Sequence, residues 1–244
     1  MYKSILIFMC SISIQANNLF LYDSVGGIRI EDVVNNKVNE YEIKDGYTYG
    51  LTNNLSIVTD TNGSAKYIFP HRIAISHGDT TSTYFNESDI IYDTDFKLSE
   101  VVKIRESNFN FTLNGQIYCI SETTNQTTVS TSMANIIFGK SVVFIKSGEK
   151  YTHVYLIDGS ATVFDSKSKK KKELHVNDYL VITPQIALSP RDGKVTLSGN
   201  SFSVKDIEDD EKLIHQQQLN LLKSKLDNTI FVNYNKNIFG VRIK

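Results

Sequence analysis

His153-Val154-Tyr155-Leu156-Ile157-Asp158-Gly159-Ser160-Ala161-Thr162-Val163-Phe164 is the stretch whose reading decides the fold. Two runs of β-branched, aromatic and aliphatic residues flank an Asp-Gly pair, and that pair suits the positive φ angles of a tight hairpin turn. In Ala161-Thr162-Val163-Phe164 the alternation places one face on a core and the other toward solvent, as in an antiparallel sheet with one wet side.

The same pattern extends outward in both directions. Ser141-Val142-Val143-Phe144-Ile145 precedes it and Tyr179-Leu180-Val181-Ile182 follows. Further back lie Gly27-Ile28-Arg29-Ile30, Lys66-Tyr67-Ile68-Phe69 and Arg72-Ile73-Ala74-Ile75, with an Asn-Gly turn in Thr61-Asn62-Gly63-Ser64; further on, Lys194-Val195-Thr196-Leu197 alternates again. From Leu19 to about Val204 short runs of this kind recur between Gly, Asn and Asp breaks, which predicts an all-β body. A weak correspondence between the half around Leu55–Phe69 and the half around Thr128–Val163, with a less regular stretch from Asp93 to Leu113 between them, predicts one antiparallel sandwich or roll of two sub-sheets.

One helix is predicted after the strands. Asp206-Ile207-Glu208-Asp209-Asp210-Glu211 gathers acids where a helix dipole favours them. Leu213, Gln217, Leu221 and Ser224 then share one stripe, with Ile214, Leu222 and Leu226 beside it, so the helix is expected at about 207–227. Two accounts of the stripe stand: its Leu213, Leu221 and Leu226 side packs on the β body, or Leu213, Gln217 and Leu221 form a docking face for a partner chain. Ile230-Phe231-Val232 and Ile238-Phe239-Gly240-Val241 are two further short apolar pieces.

The chain has 244 residues, 41% hydrophobic and 22% charged, with 26 basic and 27 acidic side chains and a formal net charge of −1. A chain of this length buries about 70% of the surface its unfolded form exposes, enough for a core without disulfides or metal. Near-neutrality argues against a nucleic-acid binder that relies on global charge, and two cysteines make neither a disulfide scaffold nor a Cys-based zinc site. No cofactor is expected.

At the N-terminus Lys3 precedes Ile5-Leu6-Ile7-Phe8-Met9-Cys10, and Ser11-Ile12-Ser13-Ile14-Gln15-Ala16 follows. A basic, apolar and then small-residue order is that of a signal peptide, with cleavage expected after Ala16. The apolar run is too short to span a bilayer, which needs roughly 20 residues. A buried first strand is the other reading; lipidation of Cys10 is a third, although Phe8-Met9 replaces the small residues such a site wants. Cleavage would remove Cys10 and leave Cys119, flanked by apolar residues, as a lone buried thiol. The expected organisation is a signal peptide at 1–16, a β domain at 17–204, and a helix and tail at 205–244.

The segment Thr128-Val129-Ser130-Thr131-Ser132-Met133-Ala134-Asn135-Ile136-Ile137-Phe138-Gly139-Lys140-Ser141-Val142-Val143-Phe144-Ile145, with Thr152-His153 through Thr162-Val163, resembles the FecR-type domain. Thr59-Asp60-Thr61-Asn62-Gly63-Ser64-Ala65 is similar to the family's opening, and Glu173-Leu174-His175-Val176-Asn177-Asp178-Tyr179-Leu180 to its closing strand pair, so the resemblance covers about residues 50 to 184. Two positions depart from the family pattern: Ser132 stands where it has proline, and Phe138-Gly139-Lys140-Ser141 keeps only the glycine of its Arg-Gly-Thr turn. The resemblance implies an exported β domain. Family regulators relay a transporter signal to a sigma factor through a cytoplasmic segment and a spanning helix; with neither in this chain, that output is not implied here.

No catalytic motif is found. His71, His77, His153, His175 and His215 form no metal-site pattern, and no nucleophile elbow, phosphate loop or dinucleotide fingerprint occurs. Ser76-His77-Gly78-Asp79 contains triad residue types but reads as a turn, since triad members converge from distant positions. Lys167, Lys169, Lys170, Lys171 and Lys172 concentrate positive charge, either as a solvated hairpin tip or as a contact for anionic headgroups, lipopolysaccharide or acidic glycan.

The expectation is therefore a non-enzymatic, exported FecR-like protein in the periplasm or on the surface of a Gram-negative bacterium. It would bind another envelope protein or a cell-surface polymer, and no nucleic acid. The alternatives are a secreted carbohydrate- or peptidoglycan-directed enzyme, drawing two carboxylates from Asp79, Glu87, Asp89, Asp93, Asp95 and Glu100, and a signalling domain whose regulatory half lies on another chain.

Overall fold

A computed structural model of the chain describes residues 17–34, 37–41, 45–46, 48–51, 55–70, 72–85, 90–92, 104–168, 170–188, 195–234 and 237–242. The expected signal peptide, the lipidation candidate Cys10, His71, Lys169 and five of the six candidate catalytic carboxylates, all but Asp79, lie outside these residues.

In chain order the strands are β1 (Asn17–Val25), β2 (Ile28–Val34), β3 (Lys37–Tyr41), β4 (Thr48–Leu51), β5 (Leu55–Thr59), β6 (Ser64–Phe69), β7 (Ile73–His77) and β8 (Ser82–Phe85). A small hairpin of β9 (Ile90–Tyr92) and β10 (Ile104–Ser107) leads to the longest strand, β11 (Phe109–Ser121). Then come β12 (Thr127–Ser130), β13 (Ala134–Phe138), β14 (Ser141–Gly148), β15 (Tyr151–Asp158), β16 (Ala161–Asp165), β17 (Lys171–Leu174), β18 (Tyr179–Leu188) and β19 (Val195–Lys205). The helix α1 (Asp209–Asp227) and a hairpin of β20 (Thr229–Tyr234) and β21 (Asn237–Arg242) complete the chain.

These strands build the expected all-β sandwich. Its first sheet runs β4-β1-β6-β7-β11-β14-β15-β18-β19. The second runs β3-β2-β5-β8-β11-β12-β13-β16-β17. Strand β11 is central in both: Phe111–Asn114 pair with β8 in the second sheet, and Gly115–Ser121 pair with β14 in the first. The chain therefore contributes four strands to each sheet before β11 and four after it, which is the structural content of the correspondence between halves.

Gly115 is where β11 changes sheets. Its φ is +113°, and a Cβ there would lie 2.5 Å from the Thr81 Cα, so both backbone angle and close approach require glycine. Because β11 folds back at this point, its two ends face each other across the sandwich. Residues 122–126 then suffice to carry the chain from Ser121 to a strand beside Phe109, with the Phe109 N–H donating to the Gln126 carbonyl at 2.9 Å. That return makes β11–β12 parallel in an otherwise antiparallel arrangement. The stretch Asp93–Leu113, expected to be irregular, thus contains the first half of the organising strand at Phe109–Leu113.

Alternation fills the space between the sheets. Leu19, Leu21, Tyr67, Phe69, Ile73, Ile75, Phe85, Phe109, Phe111, Ile117, Val129, Ile136, Val143, Ile145, Val154, Leu156 and Val163 belong to one buried cluster. Cys119 is among them, as expected for a thiol packed as a small hydrophobe, and burial pushes its ionisation far up. His77 is also inside, which corrects the reading of Ser76-His77-Gly78-Asp79 as a turn. Strand β7 runs through His77, whose ring follows Ile73 and Ile75 inward, and the turn begins only at Asp79. Its Nε2 lies 2.6 Å from the Tyr67 hydroxyl and 3.0 Å from Thr83 Oγ1, while Nδ1 has no hydrogen-bond partner among the described residues. Burial holds this imidazole neutral, lowering its pKa to about 3.

Helix α1 forms where expected and lies on the outer face of the first sheet. Asp209, Asp210 and Glu211 occupy its first turn and Lys225 its last, both favourable to the dipole. Leu219, Leu222 and Leu226 pack on Phe20, Tyr22, Ile68, Ala74 and Ile120. Of the stripe expected to pack, only Leu226 does so; Leu213 and Leu221 are 58% and 53% exposed. The sheet face beneath is apolar, with Phe20 and Tyr22 among its aliphatic residues, and the leucines spaced 219, 222 and 226 meet it along one line of the helix.

Candidate functional site

Helix α1 packs on the first sheet, and among the described residues no helix covers the outer face of the second. Alternation puts one residue in two from each strand on this face. Register aligns Glu31, Ser56, Tyr84, Thr112, Ser130, Asn135, Phe164 and Lys171 in a single row across eight strands. At strand spacings of about 4.8 Å the row is roughly 34 Å long. A parallel row of Asn110, Thr128, Ile137, Thr162 and Glu173 lies on one side, and Arg29, Val58, Ser82 and Asn114 on the other. Thr112, Asn114, Phe164, Lys171 and Glu173 are exposed; the others whose exposure is described are half-buried.

Two shallow depressions of ≈ 430 and ≈ 370 Å³ open at the end nearest β2, and they share Arg29, Val58 and Ser82. Arg29 divides them. Its Nε donates to Glu31 Oε1 at 2.7 Å and its Nη1 to Asp60 Oδ1 at 3.0 Å. This end therefore combines a fixed guanidinium, two carboxylates and the hydroxyls of Ser56, Ser82 and Thr112, a set that donates and accepts hydrogen bonds without a strong net charge.

The opposite end is cationic. Lys167, Lys170, Lys171 and Lys172 are exposed on the β16–β17 hairpin, which forms one edge of the second sheet. Lys171 faces outward in register with Phe164. Lys172 pairs with the buried Val163 and so carries a charge on the core-side register of an edge strand, an arrangement that blocks edge-to-edge pairing. A buried carboxylate fixes the hairpin. Asp165 accepts the Lys167 N–H at 2.9 Å, the Ser168 hydroxyl at 2.5 Å and the Asn200 side-chain amide at 2.6 Å. Burial opposes its ionisation, but these hydrogen bonds prevail and hold it below the usual aspartate range.

A second cluster lies under the start of α1. The His215 ring centroid is 5.6, 4.7 and 5.1 Å from those of Tyr118, Phe144 and Tyr155, and its Nδ1 lies 2.9 Å from the Tyr118 hydroxyl. Burial lowers the His215 pKa, against the pull of Glu211, whose Oε1 is 3.8 Å from Nε2. Burial also pushes the Tyr118 phenol up to about 12. This cluster seats the helix. At the other end of α1, Arg72 and Lys223 share Glu122, at 2.5 and 2.8 Å, and both also reach Asp227.

The proposed docking residues Leu213, Gln217 and Leu221 share the solvent side of α1, and Ile214 beside them is 57% exposed. Among the described residues no group of three or more His, Cys, Asp or Glu side chains is placed to hold a metal ion. No helix among them is long and apolar enough to cross a membrane. The polar rows escaped sequence reading because their members come from eight strands; the local signal was a Ser, Thr or Asn at every second position in Asn110–Asn114 of β11 and in Thr128–Ser130 of β12.

No family model matches the chain, and no curated protein does. Two crystal structures of a proposed anti-sigma factor from Parabacteroides distasonis are similar to it, at 10% and 9% sequence identity, each with a TM-score of 0.41. They cover 80% and 78% of this chain and 100% and 99% of their own. Superposition at that level does not define a shared fold.

Proposed function

We propose that this chain is a non-enzymatic binding protein of the bacterial cell envelope, exported to the periplasm or surface of a Gram-negative cell, that holds an envelope polymer on the open face of its second sheet. The observation that carries the reading is the row from Glu31 to Lys171. It offers hydroxyl, amide and carboxylate groups at regular strand spacing over roughly 34 Å, with aromatic rings at Tyr84 and Phe164. An open sheet face of this kind suits an extended, polyhydroxylated chain, whose apolar ring faces rest on aromatics while its hydroxyls exchange hydrogen bonds with the rows. The lysines at one edge favour a polymer that also carries anionic groups.

The FecR-type resemblance of residues 50–184 supports the assignment to an exported β domain. A signalling output whose regulatory half lies on another chain would follow from the same binding event. At the Arg29 end Glu31 and Asp60 are both ion-paired to one guanidinium, which fixes a donor and two acceptors side by side for the hydroxyls of such a polymer.

Co-sedimentation with insoluble peptidoglycan and, in parallel, binding to purified lipopolysaccharide test this reading. Retention of the wild-type chain by one of them, weakened about tenfold in Tyr84→Ala/Phe164→Ala, is the expected result. Failure to bind either polymer, or binding indifferent to the double substitution, would overturn it; release of soluble sugar would overturn the non-enzymatic assignment. N-terminal sequencing of protein recovered from a bacterial periplasm checks cleavage after Ala16.

A further inference from the structure

Helix α1 carries two apolar stripes. One is buried against the first sheet, through His215, Leu219, Leu222 and Leu226. The other lies on the opposite side: Leu213, Ile214 and Leu221, all more than half exposed, surround the exposed Gln217. Apolar side chains on the solvent side of a helix contribute nothing to its docking, and no described residue covers them.

Two leucines are spaced symmetrically about Gln217 on this face. Leu213 lies four positions before it and Leu221 four after; Asp210 lies seven before and Ser224 seven after. The net charge is opposite at the two ends, with Asp209, Asp210 and Glu211 outweighing Lys212 at the start and Lys223 and Lys225 outweighing Asp227 at the end. A second copy of the helix, laid antiparallel with a two-fold axis beside Gln217, would place each Leu213 level with the partner's Leu221. Glu211 and Lys225 fall on one flank of the face, and Asp209 and Lys223 on the other. In the antiparallel pair Glu211 therefore approaches the partner's Lys225, and Asp209 the partner's Lys223. Asp209 already pairs with Lys212, and Lys223 and Lys225 already contact Asp227, Glu122 and Asp23 at the surface, so the complement is one between an acidic and a basic half, not between isolated pairs. A parallel arrangement would set acids against acids.

We infer that the chain forms a two-fold dimer through the outer face of α1, with Leu213 against Leu221 and the two Gln217 amides paired at the axis. A polar pair at the centre of an apolar seam fixes register at some cost in stability, and an isologous contact closes at two copies. A contact between two helices of this length falls at the small end of specific interfaces, so the dimer is weak and reversible. It turns the two second-sheet faces away from each other and leaves both open. The inference does not depend on the polymer reading above.

Sedimentation equilibrium of the full chain over a wide concentration range is the first test, with Leu221→Glu and Leu213→Glu expected to raise the dissociation constant by about tenfold or more without changing the circular dichroism. Orientation is read by cross-linking. With axes about 8–10 Å apart and Cα atoms about 2.3 Å from each axis, two Gln217 positions lie within disulfide reach. Two Ser224 positions would be about 21 Å apart along the axis. In a Cys10→Ser background, where Cys119 is buried, Gln217→Cys should oxidise to a covalent dimer and Ser224→Cys should not. A chain that stays monomeric into the millimolar range, a dimer unaffected by the glutamate variants, or equal cross-linking at both positions would overturn the proposal.

Discussion

The Asp165 carboxylate accepts the side-chain amide of Asn200 at 2.6 Å, joining the end of β16 to the middle of β19 across 35 residues. The same amide donates to the Met133 carbonyl at 2.8 Å, so one buried Asn ties three segments of the C-terminal half together. Replacing it strips a buried carboxylate of its closest side-chain amide donor.

Asn200→Ala should therefore cost about 2–3 kcal/mol, measured by urea unfolding, although it removes no apolar contact. Asp165 adds a pH dependence of known sign. Its folded pKa is depressed, so its contribution is complete above the unfolded aspartate value and is lost as pH falls through the lower folded value. Asp165→Asn should flatten that acid limb.

His77 works in the same sense, but over a window at higher pH, where stability is again lost as pH falls. Its folded pKa of about 3 lies below the ordinary value of 6.5, so below 6.5 the unfolded state binds a proton that the folded state refuses. Stability should fall by about 1.4 kcal/mol per pH unit between those two values from this group alone. Comparing wild type with His77→Gln between pH 7 and pH 5 isolates it, because His153 and His215, also lowered, titrate in both proteins.

On α1 the two leucine stripes should separate cleanly. Leu222→Ala and Leu226→Ala, each at a site with no exposed surface, should cost about 2–4 kcal/mol. Leu213→Ala and Leu221→Ala, measured at concentrations where the chain is monomeric, should stay within about 0.5 kcal/mol. Equal costs would mean that the helix seats on a different face.

Gly115→Ala should destabilise by at least about 2 kcal/mol, since it adds a Cβ 2.5 Å from the Thr81 backbone at a φ reserved for glycine. Gly139→Ala is the control. Its nearest atom would be the Thr124 carbonyl oxygen at 3.4 Å, so its effect should be small and can be of either sign. The comparison by thermal unfolding separates loss of a fold-back point from a general effect of added side chain.

Much of this architecture was legible residue by residue. Period-two runs such as Ala161–Phe164, punctuated by Asp158-Gly159 and Asn62-Gly63, specified an antiparallel β body, because a tight turn and an alternating strand are both local. The acids of the first turn and the spaced leucines likewise specified α1 to within two residues of its start. The reading failed where one residue's meaning depended on a distant one. Phe109–Leu113 looked irregular because its partners, β8 and β12, lie on both sides of it in sequence, and the bend at Gly115 is recognisable only once Thr81 stands beside it.

The same division accounts for the candidate surfaces. From sequence alone, α1 offers two comparable apolar stripes, and period and composition do not rank them. The aromatic outer face of the first sheet, with Phe20, Tyr22, Phe144 and Tyr155 drawn from β1, β14 and β15, selects Leu219, Leu222 and Leu226 and leaves Leu213, Gln217 and Leu221 to solvent. The row from Glu31 to Lys171 is likewise invisible along the chain, since hydrogen-bond register aligns residues up to 140 positions apart. Sequence determined which segments are strands, which is the helix and where the charge concentrates, because those follow from neighbours in the chain. Which faces are buried and which remain open was decided by the packing of the two sheets and α1, because burial belongs to pairs of surfaces and not to either alone.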